Sequence, residues 1–528
     1  MRQSFKVAII LPPPWSPLIP PLGIVTVAEI FRKNGIDCFE FDWNIELLHS
    51  FEKKFGKDFH RNHPLYWDAV YSSNFWQEAL FSENYFGKLV RDWFENEISV
   101  LIQKGFNVFG FSVFDTNKNV TKYLVTNFKK QFSDCLIIAG GPGMNVYVEY
   151  SHAENWLKHI NLIFYKEVED TLLLFINALK SSGNFDEIKG TAYIKKTNLF
   201  SFGFMKAVAR KILFNKPIEY FSLKYLPQNH PPDLEKIPPL NLDHLDLKKY
   251  KTGGIPIEFS RGCKGSCSFC SETVRYKPYR IRPVLEIIND IKTAKEKYKA
   301  NYICLICSAL NGDPKHLKDF CQALINEKVN IHWGGNARPD LTLTPELLEL
   351  MAEAGCRDLD FGVESGSDHV LSLMNKRFDI STASKIIRKC HQSGIKTSVN
   401  LIVGFPGENE DDFRLTLSFI KEHFSLVEMF NVSKCYVDGQ APLGKRPEKF
   451  NIQTQNKKIL AFRDEETEDD KLPAIIKNGP SWSHWATIDA HNTPYIREKR
   501  YQQVLKLLDD LGKRGNTPHD SIHSADLL

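Results

Sequence analysis

Residues 5–11 (FKVAIIL) form an unbroken apolar run rich in β-branched side chains, the pattern of a strand covered on both faces, and a proline-rich loop follows. Residues 22–34 (LGIVTVAEIFRKN) set Ile24, Ala28 and Phe31 on one helical stripe and stop before Gly35, a residue suited to a left-handed helix cap. CFEFDWN at 38–44 is a second strand, so the chain opens with strand, loop, helix and strand, the unit of a doubly wound parallel sheet. Residues 45–100 break this rhythm with aromatic-rich, helix-leaning sequence (LYWDAVY, FWQEALF, YFGKLVRDWF), read as a self-packed helical insert. The sheet rhythm resumes with VFGFSVF at 108–114, a helix through 118–132, CLIIAGG at 135–141 and INLIFY at 160–165.

Residues 181–250 are less periodic and rich in Pro and Lys, which predicts a linker with a short hairpin of its own. From 256 a second alternation begins: PIEFS, YICLIC, IHWGGNA, LDFGVES and KTSVNLIVGF are strand-like, each followed by a helix-length segment. About six such repeats predict a partial (β/α)6 TIM-like barrel. From about 436 the rhythm stops. There follow an acidic run, RDEETEDDK at 463–471, that reads as a solvated loop, an aromatic segment at 481–500, and a final amphipathic helix near 497–513. The predicted organisation is therefore α/β: a Rossmann-like doubly wound domain over 1–180, a linker over 181–250, a barrel over 251–435 and a mixed, helical extension over 436–528.

A 528-residue chain that is 42% hydrophobic has the apolar material for several cores, which excludes disorder. Its 68 Lys and Arg against 64 Asp and Glu give a net charge of +4, too weak a balance to predict a nucleic-acid or anionic-membrane partner. The opening MRQSFKVAIILPPPW holds an apolar run far shorter than the ~20 residues of a spanning helix, so a cytoplasmic protein is expected. Eleven cysteines is an odd number, and without an export signal closely spaced cysteines read as a metal or redox site.

The sharpest chemical signal is IEFSRGCKGSCSFCSE, where Cys263, Cys267 and Cys270 are spaced C-x3-C-x2-C directly after a strand. Thiolate ligation selects zinc or an iron–sulfur cluster. A structural zinc site wants four ligands, and the nearby Cys304 and Cys307 lie in an apolar strand that points them to opposite faces. Three thiolates on a cubane cluster would leave one iron open to an exogenous ligand.

This motif, with the aromatic Phe269 before its third cysteine, resembles the radical S-adenosylmethionine (SAM) superfamily. The resemblance implies a [4Fe-4S] cluster on Cys263, Cys267 and Cys270, with SAM chelating the fourth iron. It also implies one-electron cleavage to methionine and a 5′-deoxyadenosyl radical, fed by a donor such as flavodoxin or ferredoxin. FGVESGS at 361–367 and LIVGFPGE at 401–408 look like two further stretches of that superfamily, each at a strand's carboxyl end. The resemblance puts Glu364 and Ser365 against the ribose and methionyl parts of SAM, and Gly404, Pro406 and Gly407 near its adenine. Arg338 in WGGNARPD resembles the family's arginine on the intervening strand, suited to a carboxylate at the barrel mouth; a surface salt bridge is the alternative. One departure is Cys307, which stands where related chains carry the aspartate of D-S-x-x-N-G, either as a small hydrophobe or as a functional thiol.

The first domain, through PPLGIVTVAEIFRKNGIDCFEFD, GFSVFDTN and IIAGGPG, resembles the cobalamin-binding domain of B12-dependent radical SAM enzymes. Ser112, Thr116, Gly140 and Gly141 are the candidates for burying a nucleotide tail. The D-x-H-x-x-G sequence that supplies a histidine to cobalt in other cobalamin proteins is absent; the first loop reads Pro12-Pro13-Pro14-Trp15-Ser16. Residues 166–169 (KEVE) replace the common G-E-G-E. The expected activity is a cobalamin-dependent methyl transfer, or a related radical rearrangement, on a small molecule. Trp482, Trp485, Tyr495, His484 and His491 are candidates to line its pocket, with packing as their ordinary role, and no catalytic residue is assigned. Two alternatives stay open: a radical SAM enzyme whose first domain binds no cofactor, acting on RNA or protein, and a zinc-stabilised binding protein.

Overall fold

The computed structural model describes residues 5–57, 76, 80, 85–149, 154–181, 185–196, 221–228, 230–454 and 485–512. Trp482, His484 and the acidic run at 463–471 lie outside them, as does most of 58–84 within the aromatic insert. The chain divides into two compact units, Met1–Trp15 with Pro21–Lys249, and Ser16–Pro20 with Tyr250–Leu528.

The first unit is built on a seven-stranded sheet of order β2-β1-β3-β4-β5-β6-β7. Its parallel strands are β1 (Lys6–Leu11), β2 (Asp37–Asp42), β3 (Val108–Ser112), β4 (Leu136–Gly140) and β5 (Leu162–Phe164). Val7 to Leu11 are all buried, as a central strand covered on both faces requires. Helix α1 (Leu22–Lys33) buries Ile24, Ala28 and Phe31, and Gly35 takes φ 69° just past its end. Helices α2 (Trp43–Phe55) and α3 (Tyr85–Gln103) bracket the insert. They touch each other through Phe51 and Phe86, yet the insert is not packed only on itself. Trp43 stacks on Phe128 of α4 (Lys118–Gln131) and meets Trp93 and Phe94 of α3, so these aromatics belong to the layer covering the sheet. After α5 (Pro142–Glu149) and α6 (Glu169–Lys180), the stretch read as a linker supplies β6 (Thr191–Lys196) and β7 (Phe221–Leu226), an antiparallel hairpin that extends the sheet beyond β5.

The second unit is a six-stranded parallel sheet of order β15-β14-β13-β12-β11-β8, with β8 and β15 as edge strands. Its strands are β8 (Ile255–Glu258), β11 (Tyr302–Ile306), β12 (His332–Ala337), β13 (Cys356–Glu364), β14 (Lys396–Val403) and β15 (Met429–Lys434). A short antiparallel pair, β9 (Ser260–Arg261) and β10 (Arg280–Ile281), flanks a one-turn helix α7 (Glu272–Arg275). Helices α8 (Val284–Glu296), α9 (Pro314–Asn326), α10 (Pro345–Glu353), α12 (Ile380–Gln392) and α13 (Glu410–His423) alternate with the strands, and a short α11 (Asp368–Leu373) precedes α12.

The register explains what each face buries. Ala337, Phe361, Val399 and Phe430 form one apolar row. Trp333, on the same face of β12, meets Phe320 of α9 edge-on, so this face packs under the helices. The opposite face is polar: Asn336, Asp360 and Ser398 share one row, and Gly362, Asn400 and Asn431 the next, with Asn431 donating to Asn400 at 3.0 Å. Deeper on this face the Tyr302 hydroxyl lies 2.8 Å from both Asp358 carboxylate oxygens, and only glycine fits beside it, since a Cβ on Gly334 would sit 2.2 Å from that hydroxyl. Beyond β15, a turn α14 (Pro442–Lys445), the hairpin β16 (Ile452–Thr454) and β17 (Trp485–Thr487), and helix α15 (Pro494–Asp510) complete the unit. Trp485 is buried in a cluster with Phe405, Cys435, Val437, Leu443 and Ile452, against which Phe269 packs.

Candidate active site

The cysteine loop leaves β9 through Gly262, whose φ of 78° and close approach to the Tyr276 carbonyl exclude a side chain. Cys263, Cys267 and Cys270 are all free thiols, Cys267 the most buried. The loop between them is pinned from several directions. The Ser268 amide donates to the Met374 carbonyl at 2.9 Å, its hydroxyl to Leu373, and Asn375 donates to Ser266. Burial pushes the Cys270 thiol up to about 12. Among the described residues no three His, Cys, Asp or Glu side chains stand at metal-ligand spacing. The loop thus supplies a donor set in sequence order rather than a closed coordination sphere.

A connected chain of charges leads away from Cys267. The Arg338 guanidinium reaches the Cys267 sulfur at 3.7 Å and Asp340 at 3.2 Å, and donates to the Lys376 carbonyl. Burial pulls the Arg338 pKa down, but the neighbouring Cys267, Cys263 and Asp340 together raise it above the ordinary value. Asn311 fixes this arginine's backbone, accepting from the Arg338 amide at 2.9 Å while its own amide donates to the Arg338 carbonyl, Asp340 and Thr342. The Lys376 ammonium lies 3.2 Å from Glu364, and 5.6 and 5.5 Å from the ring centres of Phe269 and Phe378. Glu364 sits beside a register shift at the end of β13 with φ 75°, a left-handed conformation that costs a residue with a Cβ about 1–2 kcal/mol. Cys267, Arg338, Glu364 and the aromatic Phe269 are thereby brought together. Lys376 was missed in the sequence, where it is one basic residue in a polar turn.

Ser365 is placed differently. It is fully buried, its hydroxyl 3.2 Å from the Thr416 hydroxyl and accepting from the Ser367 amide. The Ser367 hydroxyl in turn donates to Asp412, so the ESGS turn is tied to α13. Gly404 and Gly407 take φ 75° and 90° on either side of Phe405 and Pro406, in a loop closed by Glu408, which accepts from the Gly404 amide at 2.7 Å. Burial pushes the Glu408 carboxyl up to about 7 against the opposing pull of Arg500, 2.7 Å away, and of the Gly404 amide. Cys307 is buried with its sulfur facing the carbonyl oxygens of Leu305 and Asn336 at 3.8 and 3.7 Å, and burial holds its thiol well above the ordinary range. Trp485 packs in the core and donates its indole N–H to the Cys435 carbonyl at 3.0 Å, while His491 and Tyr495 are exposed.

In the first unit the loops at the carboxyl ends of β1, β3 and β4 meet. The Val113 amide donates to Gly140 at 2.8 Å, and Gly141, at φ 102°, lies so close to Val113 that a Cβ would come within 2.6 Å of its carbonyl oxygen. The Thr116 hydroxyl donates to the Pro14 carbonyl, and buried Asn117 spans the carbonyls of Pro12 and Ser112 and the Phe114 amide. Trp15 stacks on Phe114 with centroids 4.0 Å apart. These contacts gather Ser112, Thr116, Gly140 and Gly141 around the first loop. Of the KEVE turn, Lys166 holds φ 62°, the conformation a glycine would supply at no cost, whereas Val168 does not need it.

Residues 257–420 match the Radical SAM superfamily, and they span most of the parallel sheet of the second unit. Uncharacterized methyltransferase PH0819 of Pyrococcus horikoshii is 26% identical over 204 residues, 37% of this chain and 44% of that protein. The anaerobic magnesium-protoporphyrin IX monomethyl ester cyclase of Rubrivivax gelatinosus is 28% identical over 197 residues, 36% of this chain and 35% of that one. The chain therefore spans less than half the length of these curated relatives. Among solved structures, the radical S-adenosylmethionine methyltransferase TsrM of Kitasatospora setae, with tryptophan and a SAM analogue bound, superposes with a TM-score of 0.63 at 15% identity, covering 98% of this chain and 90% of that one. A second TsrM structure, with cobalamin and a [4Fe-4S] cluster bound, gives 0.59. This likeness establishes the fold of both units. No helix among the described residues is long and apolar enough to cross a membrane.

Proposed function

We propose that the chain is a cobalamin-dependent radical SAM enzyme that holds a [4Fe-4S] cluster on Cys263, Cys267 and Cys270 and transfers a methyl group to a carbon of a small molecule. The observation that carries this reading is the junction of three free cysteines on one pinned loop with the Arg338–Lys376–Glu364 chain beside Cys267. The donor set fits by its chemistry: three free thiols on one loop are the ligands a soft iron–sulfur centre takes. When bound, the cluster and SAM supply one-electron cleavage of a sulfonium carbon–sulfur bond, yielding methionine and a 5′-deoxyadenosyl radical. Cobalamin supplies a methyl carrier.

The chain's own residues bind and orient. Arg338 brings a fixed positive charge to the thiolate loop and to a carboxylate at the barrel mouth. Glu364 offers a carboxylate acceptor for a ribose diol, with Lys376 holding it in its left-handed position. The Gly404–Glu408 turn, its backbone set by the left-handed Gly404 and Gly407, would lie against the adenine. Ser365, whose hydroxyl is turned onto Thr416, contributes through the shape of its turn. In the first unit, the glycine-rich ends of β3 and β4 and the hydroxyls of Ser112 and Thr116 fit a nucleotide tail at the carboxyl edge of a doubly wound sheet. The first loop offers Trp15 in place of a histidine.

The cyclase among the relatives keeps ring formation as a second outcome of the same radical chemistry. Product analysis separates them: S-adenosylhomocysteine accompanies methyl transfer, and a cyclisation forms none. The test of the reading is anaerobic reconstitution with iron, sulfide and cobalamin, followed by SAM under a strong reductant. A flavodoxin or ferredoxin would be the electron donor in the cell. A colourless protein carrying zinc in place of iron would reverse the assignment.

A further inference from the structure

The Gly404–Glu408 turn is held by residues that lie beyond the matched domain, in the segment that follows β17. Asn492, buried, donates to the Gly404 carbonyl at 2.8 Å and to the Phe405 carbonyl at 3.1 Å. Arg497, buried, lays its guanidinium 3.8 Å from the ring centre of Trp485 and donates to Asn492 at 3.1 Å and to the Trp485 carbonyl at 2.7 Å. Its stem crosses Gly404 so closely that a Cβ there would lie 2.2 Å from the Arg497 Cγ. Arg500, buried as well, donates to Glu408 Oε2 at 2.7 Å and to its carbonyl at 3.3 Å, and that same Oε2 accepts from the Gly404 amide. Three side chains on one short segment thus direct hydrogen bonds or packing at the backbone or sealing carboxylate of one turn.

Tertiary packing alone would be met by apolar contact, which the Trp485 cluster already supplies. Burying two guanidiniums and an amide is expensive unless hydrogen bonds offset it, and although the Arg500 Nε is left without a partner, the bonds that Asn492 and Arg500 make converge on this turn, which points to its conformation as what they secure. We propose that Asn492, Arg497 and Arg500 are positioning residues for SAM: the C-terminal segment clamps the Gly404–Glu408 turn in the shape that receives the adenosyl part. This rests on the radical SAM reading of the barrel. It gives 485–500 a role on the cofactor side, distinct from closure over a substrate.

The experiment uses the reconstituted full-length protein and its Arg500→Met, Arg500→Lys and Asn492→Ala variants, with S-adenosylhomocysteine as probe. Three quantities are read: iron content, the dissociation constant, and deuterium uptake of peptides spanning 404–408 and 302–306. The clamp predicts weakening by about tenfold in Arg500→Met and Asn492→Ala. Uptake should rise at 404–408 and not at 302–306, with iron content unchanged, and Arg500→Lys should recover most of the affinity. Affinity within twofold of wild type in variants that remain folded overturns the clamp while leaving the barrel reading intact. Wild-type protein that assembles no cluster and binds no probe overturns the barrel reading, and the clamp with it. Should Arg500→Met fail to fold, Asn492→Ala and Arg500→Lys decide the matter through the same three readings.

Discussion

Lys376 shows how one side chain can serve two neighbours. Its carbonyl takes the Arg338 guanidinium and its ammonium takes Glu364, so the residues beside Cys267 and at the end of β13 share a hub. Both members of the Lys376–Glu364 pair are buried, and removing one partner from such a pair costs about 3 kcal/mol. Glu364→Gln should therefore lower the urea midpoint of the cluster-free protein measurably and weaken SAM binding; an unchanged midpoint would mean that Lys376 is satisfied without it. Cys267→Ala should abolish cluster assembly and SAM cleavage together. Retention of full iron and full cleavage in that variant would remove Cys267 from the ligand set. The Cys307 sulfur is turned onto the backbone carbonyls of Leu305 and Asn336, so Cys307→Ala should keep the cluster and cleave SAM at a rate within about twofold of wild type. A lost reaction with the cluster retained would make Cys307 a working residue.

At the level of elements, the strand ends carried what the sequence could reveal. Cys263 to Cys270, FGVESGS and GFPGE each compress their chemistry into a few residues at or just after a strand's end, so spacing and strand position make them readable in the sequence. What fixes them was not readable. Asn492, Arg497 and Arg500 lie some ninety residues from Gly404 and belong to no periodic pattern that links the two. Lys376 likewise announces nothing locally, and Lys166 hides a left-handed turn under a residue type that rarely adopts one. The 181–250 stretch hid β6, paired between β5 and β7, and β7 at the sheet edge, because these two six-residue strands are the only long strands in an otherwise irregular stretch of its described residues. Trp485, read as a pocket candidate, is a core residue of the segment that holds the turn, and Trp485→Ala should cost about 3–5 kcal/mol in chemical denaturation. Glu408 adds a pH signature. Its folded pKa, about 7, is raised above the ordinary 4.5, so between these values the folded state binds more protons than the unfolded one and stability from this group falls as pH rises. Glu408→Gln should remove that slope between pH 4.5 and 7; an identical pH dependence in wild type and variant would contradict the placement of this carboxyl.

For the molecule as a whole, two α/β units of different topology divide the chemistry. The parallel sheet of the second unit gathers a thiol loop, a cation and a carboxylate at the carboxyl ends of its strands, where parallel α/β folds build their sites. A doubly wound sheet gathers glycines and hydroxyls at its own carboxyl edge. Fold class and the cysteine loop were legible because both rest on repetition and spacing. The substrate was not, because it is chosen by pocket shape and by segments whose contacts are set far apart in sequence. What most needs testing is that one chain carries both a radical SAM cluster and cobalamin. It is tested most directly by quantifying iron, sulfide and cobalamin per chain after anaerobic reconstitution, with 5′-deoxyadenosine and S-adenosylhomocysteine followed under reduction. About four irons and about one cobalamin per chain are expected, with SAM cleaved only when the cluster is present. Protein that holds zinc in place of iron, or that carries four irons and cleaves SAM while binding no cobalamin, would contradict it.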